Sequence, residues 1–521
     1  MPAPDRGAPT RTPLPVWAAL PTAAAAGMLM AAAFPAVAAW PLAFVALALL
    51  LPALKGRRIG GALAVAAVYG LVFFSLQVSF TARYLGPVPW LALTVVEGML
   101  TAVALVPITL AYRWVPRAWP RARVLVLPLT VAALWTVQEL FLGNWPYGGF
   151  PWARLGMSQS QGPFAAVASW VGVSGLSFAI VAVVALLVEA ASLVLAGLRA
   201  SPGVRVGSVT RGRVPLVAAA ATLLVLLLTP LFPTAPSGAM RIAAVQGDGP
   251  TGYFDQREAY SVISAQLDAT EPLVGEDVDL LVWPEGGVDY DPFQDWATDR
   301  RLTRVVSQVG APLLANTATE RGSDIYNTSF LWTADGTASQ LHDKRHPVPF
   351  GEYVPDRDFY YALAPDLIGL LGREYTPGTN PPWVDVDGVR VGLAICFDVI
   401  YDEVIRESMH AGAQVLVFQT NNADFRGTAE NLQQLAFARM RAIETGRSVV
   451  NVSTVGTSQI IRPDGTTVSS LDADEAGALL EDVELRSGLT AGVVLGPWIQ
   501  LGMLGSVPLL VVAGLLSRRR G

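Results

Sequence analysis

The sequence predicts a polytopic α-helical membrane protein of about eight spans, with one large α/β domain inserted before the last span. Three observations carry this. The 521 residues are 52% hydrophobic and only 15% charged, against roughly one quarter charged in a water-soluble domain. Apolar stretches of about 20 residues, long enough to cross a hydrocarbon core, recur throughout the first 235 positions. The acids are gathered in one place. Residues 236–486 hold 38 of the 42 Asp and Glu but 18 of the 36 Lys and Arg, a net of −20 that leaves +14 on the remainder.

Candidate spanning helices lie at 15–35, 39–54, 61–80, 88–112, 123–142, 164–197 and 214–235, with an eighth at about 490–516. Every second connection is basic: Arg6 and Arg11, then Lys55, Arg57 and Arg58, then Arg113, Arg117, Arg121 and Arg123. Arg199, Arg205, Arg211 and Arg213 follow, and the chain closes on Arg518, Arg519 and Arg520. The intervening loops carry little beyond Arg83 and Arg154. Cytoplasmic loops collect Lys and Arg, so both termini are expected inside and the acidic domain outside the cytoplasmic membrane. The first apolar stretch is read as a retained helix, not a signal peptide, because the charge alternation continues through six more spans. The expected division is 1–235 for seven helices, 236–486 for the soluble domain, and 487–521 for the last helix and its basic tail.

Within 236–486, short β-branched or apolar runs begin at Arg241, Val278, Ala311, Val389, Val415 and Ser448, and each is expected to be a strand. Helical spacing fills 257–274, 297–308 and 428–446. Near-continuous apolar strands imply a sheet covered on both faces. A net-acidic domain is a poor partner for nucleic acid, which needs a cationic face. Cys396 is the only cysteine, so no internal disulfide forms, and three scattered histidines (His342, His346, His410) offer no metal-ligand spacing. No cofactor is expected.

Three strand-end segments concentrate chemistry: Trp283-Pro284-Glu285-Gly286, Lys344 to Glu352, and Ile395-Cys396-Phe397-Asp398. Functional residues of α/β proteins emerge at that edge. A thiol nucleophile, a carboxylate to take its proton and a cation to hold an oxyanion form a complete set for acyl transfer. Taken singly, each has a plainer reading: a small buried cysteine, a turn glutamate, a solvated lysine.

The order Glu285, Lys344, Cys396 resembles the carbon–nitrogen hydrolase (nitrilase) superfamily over 240–485, with Tyr326-Asn327, Asp335-Gly336 and Asn421-Asn422 in matching places. Eight spans around such a domain resemble in particular the apolipoprotein N-acyltransferases, as do Gly149-Phe150-Pro151-Trp152 and Pro349-Phe350-Gly351-Glu352. The resemblance implies a nitrilase-like αββα sandwich with Glu285 as general base, Lys344 on the oxyanion, Cys396 as nucleophile and Glu352 as a supporting acid. It implies a phospholipid acyl donor, a thioester on Cys396, and a diacylated lipoprotein amine as acceptor. Many members carry Tyr-Glu after the nucleophile, where this chain has Phe397-Asp398. These two, with Trp152 and the apolar 353–375 segment bearing Phe359 and Leu367, are the expected substrate-binding positions.

Glu97, Glu139 and Glu189 fall inside predicted spans, where carboxylates are costly and either functional or partnered. Two rival functions remain: a membrane-tethered amidase that hydrolyses a small amide, and a non-catalytic receptor or transporter with a nitrilase-like ectodomain.

Overall fold

The computed structural model describes residues 14–198 and 202–520. Of the basic positions named above, Arg6, Arg11 and Arg199 lie outside the described residues, as do the side chains of Arg205 and Arg520. The chain divides into two compact units. Of the described residues, one comprises 14–82, 86–198, 202–230 and 494–520; the other comprises 83–85 and 231–493.

The first unit is helical throughout its main elements. Among the described residues, six helical stretches are long and apolar enough to cross a membrane, from Ile59–Gln77 to Ala491–Arg519, and two shorter apolar helices, Val16–Ala32 and Leu42–Leu54, precede them. The helix Pro87–Ala104 shows which solvent this unit is built for. Leu91, Val95, Met99 and Val103 recur every four residues and are exposed, while Thr94, Glu97, Gly98 and Thr101 are turned inward. An apolar outside and a polar inside invert the pattern of a helix in water and suit lipid. Gly70 and Gly98 let this helix approach Ile59–Gln77 closely, since a Cβ at Gly70 would lie 2.7 Å from the Gly98 carbonyl oxygen.

Two expected helices are interrupted. The 88–112 stretch breaks at Leu105, and Val106–Ala118 begins anew with Pro107 in its first turn. The 490–516 stretch likewise divides into Ala491–Leu504 and Ser506–Arg520, with Pro508 just inside the second. Proline has no N–H for the helical ladder and its ring crowds the preceding turn. A third irregularity lies in Ala168–Leu198, where Gly172 at φ 71° puts a kink.

The second unit is a sandwich of two six-stranded sheets. Its strands are β1 (Ala235–Gln246), β2 (Leu280–Val282), β3 (Leu313–Arg321), β4 (Asp324–Trp332), β5 (Ala338–Asp343), β6 (Trp383–Val386), β7 (Val389–Ile395), β8 (Val415–Thr420), β9 (Val449–Ser453), β10 (Ser458–Ile461), β11 (Thr467–Leu471) and β12 (Gly477–Ser487). One sheet runs β12-β1-β2-β3-β4-β5 and the other β11-β10-β9-β8-β7-β6. Side-chain alternation builds two cores from the same strands. Ile242, Ala244, Leu280, Val282 and Leu314 face Val391, Leu393, Val415, Val417, Val450 and Val452 between the sheets. Ala243, Val245, Leu281 and Leu313 point the other way, onto Ile263, Leu302, Val305 and Val306 of the helices Ser261–Thr270 and Trp296–Val309. Helices Asp402–His410 and Glu430–Thr445 pack on the second sheet, giving four layers in the order αββα. The expected helix over 257–274 is shorter, ending at Thr270, with Pro272 in the 3₁₀ turn that follows.

Topology sets where the chemistry can gather. β1, β2 and β3 are parallel, and so are β7, β8 and β9. β5 is antiparallel to β4, which is antiparallel to β3, so β5 again runs with β3. The segments after β2 and β5 therefore leave the first sheet at the same end. Gln419 at the end of β8 ties the second sheet to that end, donating to the Trp283 carbonyl at 2.6 Å and accepting from Ser329 Oγ at 2.5 Å.

Candidate active site

Glu285 stands two residues beyond Trp283, on a turn whose Gly286 has φ +64° and donates its N–H to Asn316 Oδ1 at 2.8 Å. Asn316 in turn donates to Asn327 Oδ1 at 2.9 Å. That leaves the Asn327 amide nitrogen to donate to Glu285 Oε1 at 2.7 Å. Two β-strand amides thus aim one carboxylate.

Lys344 follows β5 directly and is 1% exposed. Its Nζ meets Glu285 Oε1 at 3.1 Å and Glu352 Oε1 at 2.9 Å. Glu352 is held from its other oxygen, which accepts from the Val348 N–H at 2.7 Å. One cation between two carboxylates leaves a unit of negative charge in a buried place. Burial alone would lower the Lys344 ammonium, but Glu285 and Glu352 hold it well above the usual lysine range. Burial pushes the Glu285 carboxyl up; Lys344 pulls against that rise and the Glu352 charge adds to it. Glu285 Oε2 is buried and accepts no hydrogen bond from any described residue. A carboxylate with a raised proton affinity and a vacant oxygen is equipped to receive a proton.

Cys396 directly follows β7 and starts the short helical turn Cys396–Ile400. Its φ is 48°, in the left-handed region that a residue with a Cβ rarely adopts. The side chain remains partly accessible. A strained strand-to-helix corner that presents a nucleophile is a known device of acyl-transfer enzymes. Packing around the sulfur pushes the thiol well up; the Glu285 charge adds to this and Lys344 opposes it. The resting state is a neutral thiol, to be ionised as its proton leaves for a base. Arg441 braces the turn from below. Fully buried, it donates to the Val399 and Ile400 carbonyls at 2.9 and 3.0 Å and pairs with Asp402 and Glu444.

The structure thus brings Glu285, Lys344 and Glu352 into direct contact, with Cys396 in their electrostatic reach. The expected substrate-binding residues are placed differently. Asp398 is fully buried, and its two oxygens accept the Arg345 and His346 N–H groups at 3.1 and 2.8 Å, so it anchors the segment after Lys344. Phe397 is buried edge-on to Tyr401. Trp152, in the first unit, is buried between Phe80 and Phe150. Phe359 is 61% exposed on the short helix Arg357–Leu363, and Leu367 is half-buried on Pro365–Ile368. Asn316, Glu430, Gln434 and Arg441 were not singled out as site residues from the sequence. Among the described residues no group of three His, Cys, Asp or Glu is arranged to hold a metal ion.

A nitrilase-type sandwich joined to apolar helices narrows the class of protein, and comparison with known sequences completes it. Residues 241–488 match the carbon-nitrogen hydrolase family, and residues 26–186 match the apolipoprotein N-acyltransferase N-terminal domain. An apolipoprotein N-acyltransferase of Mycolicibacterium smegmatis is 31% identical, covering 96% of this chain and 86% of its own length. One from Azotobacter vinelandii is 31% identical over 97% of this chain and 96% of its own. Among solved structures, a Saccharomyces cerevisiae member of branch 10 of the nitrilase superfamily aligns at 18% identity with a TM-score of 0.38, covering 53% of this chain and 96% of that one. The chain belongs to the apolipoprotein N-acyltransferase family, a family of membrane-bound acyltransferases with a carbon–nitrogen hydrolase domain.

Proposed function

We propose that the protein moves a fatty acyl chain from a phospholipid to the N-terminal α-amine of a diacylglyceryl-cysteine lipoprotein, by way of a thioester on Cys396. In the first half-reaction Glu285 Oε2 takes the thiol proton as sulfur attacks the ester carbonyl. The ammonium of Lys344 stabilises the oxyanion, and the proton passes from Glu285 to the departing lysophospholipid oxygen. In the second half-reaction the amine attacks the thioester and Glu285 takes its proton; the C–S bond breaks to release the amide, and the sulfur recovers the proton from Glu285. Amines attack thioesters more readily than oxygen esters, so a sulfur carrier suits an amine acceptor. The exposed apolar residues of 353–371, including Phe359, Tyr361, Leu363 and Leu370, are read as the surface that receives acyl chains and keeps water from the thioester.

The observation that carries this reading is the buried Lys344 shared by Glu285 and Glu352, with a vacant Glu285 oxygen and the charges of all three acting on the thiol. The test is incubation with phospholipid bearing a labelled acyl chain, followed by intact-mass measurement with and without a diacylated lipopeptide. The label is expected on the wild-type chain, absent from Cys396→Ala, and passed to the peptide amine. No adduct on the wild type, or an equal adduct on Cys396→Ala, rejects the thioester. Release of free fatty acid with no transfer to peptide would favour the amidase-like alternative. The orientation is part of the proposal: basic loops inside, both termini cytoplasmic, and the catalytic unit on the extracytoplasmic side.

A further inference from the structure

Beyond the groups of the proposed reaction, the sulfur of Cys396 has a hydrogen-bonding neighbour. Gln434, on the helix Glu430–Thr445, places its side-chain nitrogen 3.4 Å from Cys396 Sγ. Which end of a carboxamide faces a partner is decided by what its other end touches. Here the chain of bonds begins at a backbone donor. The Gly456 N–H, a donor only, gives its hydrogen to Ser453 Oγ at 2.8 Å. The Ser453 hydroxyl then has its own hydrogen for Asn422 Oδ1, at 2.6 Å. With its oxygen accepting, Asn422 directs its two N–H bonds outward, one to Glu430 Oε2 at 2.7 Å and one to Gln434 Oε1 at 2.8 Å. Gln434, accepting through Oε1, then presents its N–H₂ to the sulfur. Ser453, Asn422, Glu430 and Gln434 are all buried, so water does not compete for these bonds.

We infer that Gln434 is a further catalytic residue, held by the Gly456–Ser453–Asn422 chain so that it donates a hydrogen bond to Cys396 Sγ whenever that sulfur carries negative charge. The role rests on Cys396 being the nucleophile proposed above. It operates twice in the cycle: when the thiol loses its proton, and when the electron pair of the C–S bond returns to sulfur as the amide forms. No proton crosses the chain; the donor only lowers the energy of the anion. Glu430 fits as the second acceptor of Asn422. Burial pushes its carboxyl up to about 8, Asn422 opposing, so near neutrality it adds little negative charge beside the sulfur.

The test reads the thiol without any acyl donor. The full-length protein in detergent is alkylated with iodoacetamide at its single cysteine, and the rate is followed by intact mass as pH is raised. The titratable groups facing Cys396 (Glu285, Lys344, Glu430 and Glu352) are unchanged in the variants used. Gln434→Met keeps the length and removes the donor; its curve is expected to move to higher pH, with about tenfold slower alkylation near neutrality, the size of one lost hydrogen bond to an anion. Ser453→Ala, remote from sulfur, frees Asn422 to turn over and is expected to shift the curve the same way by less. A Gln434→Met curve superimposed on wild type overturns the inference. So does a shift in Gln434→Met with none in Ser453→Ala, because the chain would then have no part. If Gln434→Met fails to fold, judged by its thermal midpoint, Ser453→Ala decides alone. Failure of the thioester reading shows separately, as a wild type that alkylates normally but takes no label from phospholipid.

Discussion

Two buried ion clusters, one in each unit, use the same residue types in opposite proportion. In the helical unit Glu189 is 1% exposed and meets two cations, Arg123 at 2.6 Å and Lys55 at 3.6 Å, both of which keep part of their side chains open. In the sandwich the buried Lys344 is one cation between two carboxylates, Glu285 and Glu352. Surplus positive charge that reaches solvent keeps Glu189 compensated: Arg123 donates twice to its Oε1, and Lys55 stands 3.6 Å from Oε2, which accepts no hydrogen bond from a described residue. Burial raises the proton affinity of Glu285, and the second carboxylate, Glu352, adds to that rise against the pull of Lys344, which is what a general base requires. Residue type therefore says little about whether a buried pair is scaffold or machinery. The count of opposing charges and their access to water decide it.

That contrast can be broken most severely at Lys344. Lys344→Met should lower acyl transfer by about a thousandfold, since the oxyanion loses its cation. It should also cost roughly 3–5 kcal/mol of stability, because two buried carboxylates lose their counter-charge. Near-normal turnover in a labelled-phospholipid assay would remove Lys344 from the chemistry. Glu352→Gln is expected to be milder, about ten- to a hundredfold in kcat, because Lys344 keeps its contact with Glu285. With one carboxylate fewer, Glu285 should hold its proton less tightly, so the rising limb of the pH–rate profile should move to lower pH. A shift the other way would contradict the electrostatics described above.

Glu430 sharpens the comparison through stability rather than rate. Its carboxyl sits at about 8 in the fold against 4.5 ordinarily, so between those values the folded chain keeps a proton that the unfolded chain releases. Stability then falls as pH rises through that window and levels off above it. Glu430→Gln should flatten this part of the curve of thermal midpoint against pH, and an unchanged slope would show that Glu430 is ionised in the fold. Glu189→Gln should have the smallest effect on function. Acyl transfer should stay within about twofold of wild type, and stability should drop by about 1 kcal/mol, as expected where cations retain some solvent. A large loss of activity in a variant of normal stability would mean that the helical cluster is not merely an anchor.

Much of this was legible in the sequence because the signals are local. Apolar length and the alternation of basic loops marked the helices, and the strands bearing Glu285 and Cys396 stood out as short apolar runs. What escaped was either interrupted or spread across the chain. The breaks before Val106 and Ser506 come from Pro107 and Pro508, which hydropathy alone passes over. β12 was missed because Glu481 interrupts one face of the strand and Asp482 and Glu484 the other, and Leu479, Val483 and Leu485 become apolar wall only when it pairs with β1, more than two hundred residues away. Asp398 looked like a ligand contact beside the nucleophile, yet its oxygens are spent on the backbone after Lys344.

By itself, then, the sequence determined that the chain is helical in lipid, that it carries a doubly covered α/β domain, and that Glu285, Lys344 and Cys396 leave strand ends in that order. Each follows from composition, period or position along the chain. Only the tertiary structure decided that Lys344 is shared by two acids, that Glu285 keeps a vacant oxygen, and that Gln434 reaches the sulfur through a chain of fixed polarity. The physical reason is that proton affinity and hydrogen-bond direction depend on desolvation and on partners brought from distant elements. A glutamine on a helix carries no mark in sequence that separates a solvated amide from one aimed at a thiol.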